Sequence, residues 1–339
     1  MLTFVEYCLQ RGFETDIWWD KKETIDQASQ RLNLKLDKLN LCPQMYYWLQ
    51  VDASYLNKLQ RLLNQLKYDL IFWLSDGSVP LLHGKQNWLH FQVPFQVNGN
   101  GLKIQYKLSK INHILCNSKF TKNFIDKSFN IKSEVLYPPV DVHQFITKPK
   151  EKKSIILSVG RFDQILNAKR QDILIEVFKQ MCDKGLENWE LVLVGGLQHN
   201  QDQFLQLEKM AINYPIRLLP NLDWLKLLDL YKQATIYWHG TGYGVDDQKT
   251  PEKVEHFGMS IVEAMAAGCI PIAYDIGGVK EIIQDKENGY LWKTKEQLAK
   301  MTFNMINILA KENDIVAKAQ KRSLDFSKER FFMQLDNLL

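Results

Sequence analysis

The sequence predicts an α/β protein of two doubly wound units with parallel sheets, and three observations carry that expectation. From Ser154 onward, short β-branched runs alternate with helical patterns, the sequence form of βαβ units. The first half repeats the rhythm less regularly. The chain's 339 residues, 45% hydrophobic and 24% charged, suffice for two cores of ordinary domain size.

SIILSV, Ser154 to Val159, reads as a buried strand, followed by a helical pattern from Gln171 to Met181 and the strand ELVLVG from Glu190. A helix from Gln203 to Ile212 and a strand at Ile216 to Leu219 continue the alternation. Asp223 can cap a helix through Gln233, and TIYWH, Thr235 to His239, is the next strand. A helix beginning near Met259 ends at Gly268, where glycine suits a left-handed cap. The strand CIPIAY then leads into Gly277 and Gly278 and a further helix from Val279. In the first half, strands are expected at Asp16 to Trp19, Asp69 to Leu74, Trp88 to Gln92, Ile111 to Cys116 and Glu134 to Leu136.

The run TKPKEKK, Thr147 to Lys153, is charged, carries a proline and has no apolar anchor, so the linker is placed near Lys150. The expected division is 1–148, 149–320 and a terminal helix, 321–339, returning toward the first domain.

Lys plus Arg number 43 against 39 Asp plus Glu, and a net charge of +4 is too slight for a nucleic-acid footprint, so no nucleic-acid partner is expected. The five cysteines (Cys8, Cys42, Cys116, Cys182, Cys269) are scattered and form no C-x-x-C pair, which disfavours a disulfide framework or a zinc site. No apolar run approaches the roughly 18 residues of a membrane span, and no secretory signal opens the chain. The expected compartment is the cytoplasm. Peripheral contact with the inner face of a membrane stays open, with Lys103 and the segment Lys107 to Lys110 as the basic guide and a plain solvated face as the alternative.

Ligands of open parallel sheets bind beyond the carboxyl ends of the strands, so the loops there hold the candidates. After the Ser154 strand comes VGRFDQILNAKRQD, in which Gly160 allows the chain to turn and Arg161, Lys169 and Arg170 supply cations for an anionic ligand. A solvated basic loop is the plainer reading of the same residues. PEKVEHFGMSIVEAMAAG places Glu255 on an approach loop and Glu263 in the first turns of a helix, with leading amides around Phe257 to Ser260 available to an anion. A carboxylate there could hold ribose hydroxyls, or merely compensate the helix dipole. WHGTGYG after His239 imitates a dinucleotide fingerprint, but Val245 stands where the third glycine belongs and a polar loop follows, so it reads as a flexible loop near the ligand. His90 in WLHFQVP ends a first-half strand and is structural unless the fold brings it to the ligand. Trp18, Trp19, Trp48, Trp73 and Trp88 could stack on sugar rings or fill a core. No G-x-S-x-G, H-E-x-x-H or G-x-x-x-x-G-K-[ST] motif occurs, which removes the simplest hydrolase, zincin and NTPase readings.

Taken together, GRF with KRQD, VLVGG, EHFGMSIVEAMAAG with its E-x7-E spacing, and YDIGG resemble the retaining glycosyltransferases of family 4. The similarity runs from CNSKFTKNF through YPPVD to FSKERFFMQLDNLL, and EHFG with VEAMAAG is similar to mannosyltransferases that extend lipid-linked oligosaccharides. The resemblance implies the GT-B fold, two Rossmann-like domains whose parallel sheets face an interdomain cleft. It implies that Arg161 and Lys169 stabilise a departing nucleoside diphosphate, that Glu263 holds the donor's ribose and that Glu255 lies beside the donor sugar. Gly160, Gly195, His256, Phe257, Gly258, Met259 and Ser260 would complete the donor pocket, with backbone amides toward the phosphates, and His90 would stand near the transferred sugar. LTFVEYCLQRGFETDIW matches the family's first helix and second strand, so the first strand and glycine-rich turn that the family places ahead of them have no counterpart in these residues.

The implied activity is metal-independent, retaining transfer of a sugar from a GDP- or UDP-linked donor, with no cofactor, to an acceptor hydroxyl. Cell-envelope polysaccharide, glycolipid and lipid-linked oligosaccharide assembly all remain compatible acceptors. A non-catalytic nucleotide-sugar-binding protein or a truncated, inactive transferase is the alternative.

Overall fold

The computed structural model of the chain describes residues 1–49, 54–97, 99–146, 151–163, 167–308 and 313–339. Packing divides it into two compact units. The first comprises Met1–Asn117, Lys122–Leu136 and Phe332–Leu339; the second comprises Ser118–Thr121 and Tyr137–Phe331. The main division therefore falls between Leu136 and Tyr137. The expected linker begins in residues outside the described ones, 147–150, and its last residue, Lys153, already belongs to a strand.

In the first unit, β1 (Asp16–Ile17) pairs with β2 (Asn40–Leu41), and a separate parallel sheet runs in the order β3 (Leu70–Ser75), β4 (Gln86–Phe91), β5 (His113–Cys116), β6 (Glu134–Val135). The central strand β4 reads NWLHF without alternation because both its faces are covered, and Trp88, Leu89 and Phe91 are fully buried. The helix Leu2–Gln10 lays Phe4 on Phe72 with ring centroids 4.2 Å apart. Near the other end of the chain, Asp336 accepts hydrogen bonds from Tyr7 Oη at 2.6 Å and Arg11 Nη2 at 2.6 Å. Trp88 is core, set against Phe4, Phe72 and His113, which removes it from the candidates for sugar stacking.

The second unit is one six-stranded parallel sheet. Its strands are β7 (Lys153–Val159), β8 (Glu190–Gly195), β9 (Ile216–Pro220), β10 (Ala234–His239), β11 (Ile270–Tyr274) and β12 (Tyr290–Trp292), in the order β12-β11-β10-β7-β8-β9. Strand periodicity sends Ile155, Leu157, Val192 and Val194 into one core and Ile156, Leu191 and Leu193 into the other, so helices must cover both faces. The chain winds outward from β7 to β9 and returns to the other side of β7 as β10. Between β7 and β10 the following loops diverge, and such a switch point opens the ligand crevice of a doubly wound sheet. No described helix is long and apolar enough to cross a membrane.

Candidate active site

The loops after β7 and β8 are built on glycines that permit close backbone approach. Gly160 donates its N–H to the Val194 carbonyl at 2.9 Å. A Cβ on Gly195 would lie 2.0 Å from the Gly160 carbonyl oxygen, so Gly195 is needed for packing whatever it does for a ligand. Asp163, buried just beyond, accepts the N–H groups of Gln198, His199 and Asn200 at 2.8, 2.9 and 3.0 Å. These hydrogen bonds, chiefly that from His199, hold the Asp163 carboxyl below its ordinary pKa and tie the loop after β8 to the loop after β7.

The chemistry-bearing centre joins the loop after β7 to the end of β10 and the loop beyond it. Lys169 Nζ donates to Glu255 Oε2 at 2.6 Å, and the same oxygen accepts from His239 Nε2 at 3.0 Å. Because a carboxylate only accepts, the Nε2 proton belongs to His239, whose nitrogen also lies 3.1 Å from Thr241 Oγ1. Burial alone would raise the Glu255 carboxyl, but the Lys169 charge and the His239 hydrogen bond outweigh it and hold the group well below its ordinary pKa. Glu255 is thus an anion fixed at one oxygen by an ammonium from the β7 loop and an imidazole from the end of β10.

The backbone around Glu255 is set by the later glycines. Gly278 N donates to Glu255 O at 2.8 Å, while a Cβ on Gly277 or Gly278 would meet the carbonyl oxygen of Glu255 or His256 at 2.3 or 2.1 Å. The YDIGG run thereby seats the EHF segment. Phe257 anchors it in the core against Tyr137 and Phe326, and His256 Nε2 lies 3.1 Å from the Glu252 carbonyl. Gly258, at φ +116°, turns the chain into the helix Met259–Ala266, whose first turn directs unladdered N–H groups outward as every helix start does. Met259 is exposed and Ser260 half-buried. On the next turn, Glu263 Oε2 accepts from the buried Tyr231 hydroxyl at 2.7 Å. Burial first, then the Glu263 charge, keeps that phenol protonated far above its ordinary pKa, so Tyr231 stays a donor and orients the carboxylate.

The two neighbouring cations of KRQD part company. Arg170 adopts a left-handed backbone, φ 55°, forks onto Asp172, reaches the Tyr243 carbonyl and lies over the Tyr243 ring at 5.4 Å. It braces the glycine loop after β10 and leaves Lys169 as the cation beside Glu255. Arg161 is exposed and makes no ion pair among the described residues. Glu255, Lys169, Gly258 and Glu263 share the second unit with Arg161; His90 belongs to the first. There it is buried on β4, stacked on Phe72 at 5.8 Å, with Nδ1 lacking a hydrogen-bond partner among the described residues. Burial pushes the His90 imidazole down to about 3, so it is neutral near pH 7. Among the described residues, no group of three His, Cys, Asp or Glu is placed to hold a metal ion.

His239 is the residue whose role the sequence does not disclose. Its position at a strand end was visible, but its partner lies 16 positions on, across a loop with no periodic pattern. Asp163 and Tyr231 were silent for the same reason.

A doubly wound unit with a carboxylate, an ammonium and a helix start at its switch point defines a class that handles phosphorylated, hydroxyl-rich ligands. The comparisons narrow the class: residues 140–322, more than half of the chain, match the family Glycosyl transferases group 1, and the chain belongs to it. Among curated relatives, the mouse GDP-Man:Man(3)GlcNAc(2)-PP-Dol alpha-1,2-mannosyltransferase is 28% identical over 240 residues, covering 64% of this chain and 46% of its own length. Human alpha-1,3/1,6-mannosyltransferase ALG2 is 25% identical, over 55% of this chain and 48% of its own. The chain thus spans about half the length of the curated relatives it matches. A Rickettsia africae glycosyltransferase structure aligns at TM-score 0.76 and 16% identity, covering 99% of this chain and 93% of that one. Anabaena HepE in complex with UDP and glucose aligns at 0.70 and 16%, covering 99% and 94%. The fold is GT-B.

Proposed function

We propose that the protein transfers a mannosyl group from GDP-mannose to an acceptor hydroxyl with retained anomeric configuration. The observation that carries this reading is the Lys169–Glu255–His239 cluster at the β7/β10 switch point, one loop from a helix start and from Glu263. The GDP-Man and mannosyltransferase names of the curated relatives support the donor; UDP-linked sugars are the competing donor class. The bond from the anomeric carbon to the diphosphate oxygen breaks, the acceptor oxygen bonds to the same face, and its proton passes to the departing diphosphate. Arg161, Lys169 and the amides at Phe257 to Ser260 take the developing negative charge, a role that asks for no metal. Glu263 holds the ribose hydroxyls and Glu255 a hydroxyl of the donor sugar. Gly160, Gly195, His256 and Met259 shape the walls. A soluble nucleotide sugar as donor supports a reaction in the cytoplasm, with a glycan or lipid-linked acceptor as its proposed partner.

Calorimetric titration with GDP, UDP, ADP and their sugar conjugates, in EDTA, tests the donor. Binding selective for guanine and lost in Arg161→Ala is the expected result, with turnover of that variant down by roughly 10²- to 10³-fold. A folded Arg161→Ala protein with near-normal turnover would overturn the mechanism. Selective binding without transfer or donor hydrolysis would instead mark a nucleotide-sugar-binding protein.

A further inference from the structure

We propose that Tyr237 is a positioning residue of the donor site, a buried phenol whose hydroxyl holds the turn after β7 and the start of the helix Met259–Ala266 at a fixed spacing across the switch point. The inference rests on the donor reading above and adds to it a residue that touches no substrate.

The ladder between β7 and β10 ends early. Its last paired residues are Leu157 and Tyr237, whereas β7 stays with β8 as far as Val159 and Val194. Trp238 and His239 continue beside Ile272 and Ala273 of β11. Successive residues of a parallel strand turn their N–H and C=O to alternate neighbours, and the Gly160 N–H is the one that reaches Val194 on β8. The N–H and C=O of Val159 therefore face the β10 side, where the paired register has already ended. Backbone groups in the wedge between two parting strands need partners. The Tyr237 hydroxyl supplies them: it accepts the Val159 N–H at 3.4 Å and donates to the Val159 carbonyl at 3.2 Å.

The same phenol reaches the other half of the site. Ser260, in the first turn of the helix, hydrogen-bonds it through its side chain. The ring stacks on that of Tyr231, with centroids 6.1 Å apart and planes 21° from parallel, and Tyr231 in turn donates to Glu263. Tyr237 is fully buried, and burial, the largest influence, raises its pKa above the ordinary value, so the hydroxyl keeps the proton it gives to Val159. A position between apolar strands asks only for the ring, and a hydroxyl buried there costs free energy unless it is paired. Here one hydroxyl joins the turn at Gly160 and Arg161 to the helix start at Ser260, the two parts that the donor reading assigns to the diphosphate, while the ring backs the residue that orients Glu263.

The experiment compares Tyr237→Phe, which removes the hydroxyl and keeps the ring, with Tyr7→Phe, which removes the hydroxyl of another buried tyrosine, in the first unit, and controls for lost stability alone. Residue-resolved amide exchange of the unliganded full chain is read first. Tyr237→Phe should speed exchange at Val159 by about tenfold while the amides of β8 hold, and Tyr7→Phe should leave both unchanged. Calorimetric titration with GDP and with UDP is read second, at a temperature where circular dichroism shows each variant folded. The nucleotide that the wild type prefers should bind Tyr237→Phe roughly five- to tenfold more weakly and Tyr7→Phe as it binds the wild type. Unaltered exchange at Val159, unaltered affinity in Tyr237→Phe, or an equal loss of affinity in Tyr7→Phe would each overturn the positioning role and leave the donor reading standing. A wild type that binds neither nucleotide would overturn the donor reading, and the positioning role with it.

Discussion

Glu255 and Lys169 hold each other at 2.6 Å with both side chains largely buried, and that contact sets opposite expectations for binding and for turnover. A diphosphate arriving at Lys169 competes with a carboxylate already there. Glu255→Gln removes the competitor and leaves a partly buried ammonium without its counter-ion, which costs stability in the free protein and strengthens its demand for an anion. GDP should then bind about five- to tenfold more tightly, about 1 to 1.4 kcal/mol, and raise the melting temperature more than in wild type. Transfer should fall by about 10²-fold, since the proposed mechanism sets the same carboxylate beside the sugar. Calorimetry and steady-state kinetics on one preparation read both signs; GDP affinity unchanged or weakened would show that Lys169 does not face the phosphates. His239→Gln, which keeps a donor near Glu255 Oε2, should retain more turnover than His239→Phe if His239 positions the carboxylate.

Among the elements, the glycines separate backbone approach from mere permissiveness. Gly278 has an ordinary helical φ of −70°, so only the carbonyl of His256, 2.1 Å from a Cβ there, forbids a side chain. Gly278→Ala must push the EHF segment away, with a cost above about 2 kcal/mol from steric overlap in the core and a loss of donor affinity. Gly12 is the converse case: its φ is +80° with nothing within 4 Å, so Gly12→Ala pays only backbone strain, about 1 to 2 kcal/mol, and leaves donor binding untouched. Urea melts and GDP titration of the two variants make the comparison; equal effects on affinity would deny the seating role of YDIGG. The same contrast explains what sequence could and could not disclose. Long runs buried on both faces, such as SIILSV and ELVLVG, were legible as strands to within a residue or two, because sustained β-branched composition has no cheaper home. The two-residue β1 and β2 and the three-residue β12 are too short for a period to register, and β2 and β12 passed unforeseen. Glu255 and Lys169 were visible as charges in loops after parallel strands; His239, Asp163 and Tyr231 owe their roles to partners brought together only by folding.

Across the whole molecule, the two units carry titrating groups that act in different pH windows. In the first unit His90 is held neutral, down to about 3 against an ordinary 6.5. Between those values the unfolded chain binds a proton that the folded unit refuses, so the stability of this unit falls as pH drops from about 6.5 and levels off below about 3, with a slope approaching about 1.4 kcal/mol per pH unit. In the second unit Glu255, like Asp163, is among the lowered groups; its ordinary value is 4.5. Its contribution is complete above about 4.5 and is lost only as pH falls through its folded value. Mild acid, between pH 6.5 and 5, should therefore loosen the first unit by about 2 kcal/mol while leaving the second nearly unchanged. Amide exchange at pH 7 and pH 5, corrected for intrinsic rates, resolves the units: protection should fall in β3 to β5 and hold in β7 to β10. His90→Phe, which keeps the stack on Phe72 and removes the titrating nitrogen, should flatten the pH dependence of the first unit alone. Equal loss in both units, or a first unit indifferent to pH in the wild type, would show that His90 is not the group that senses acid.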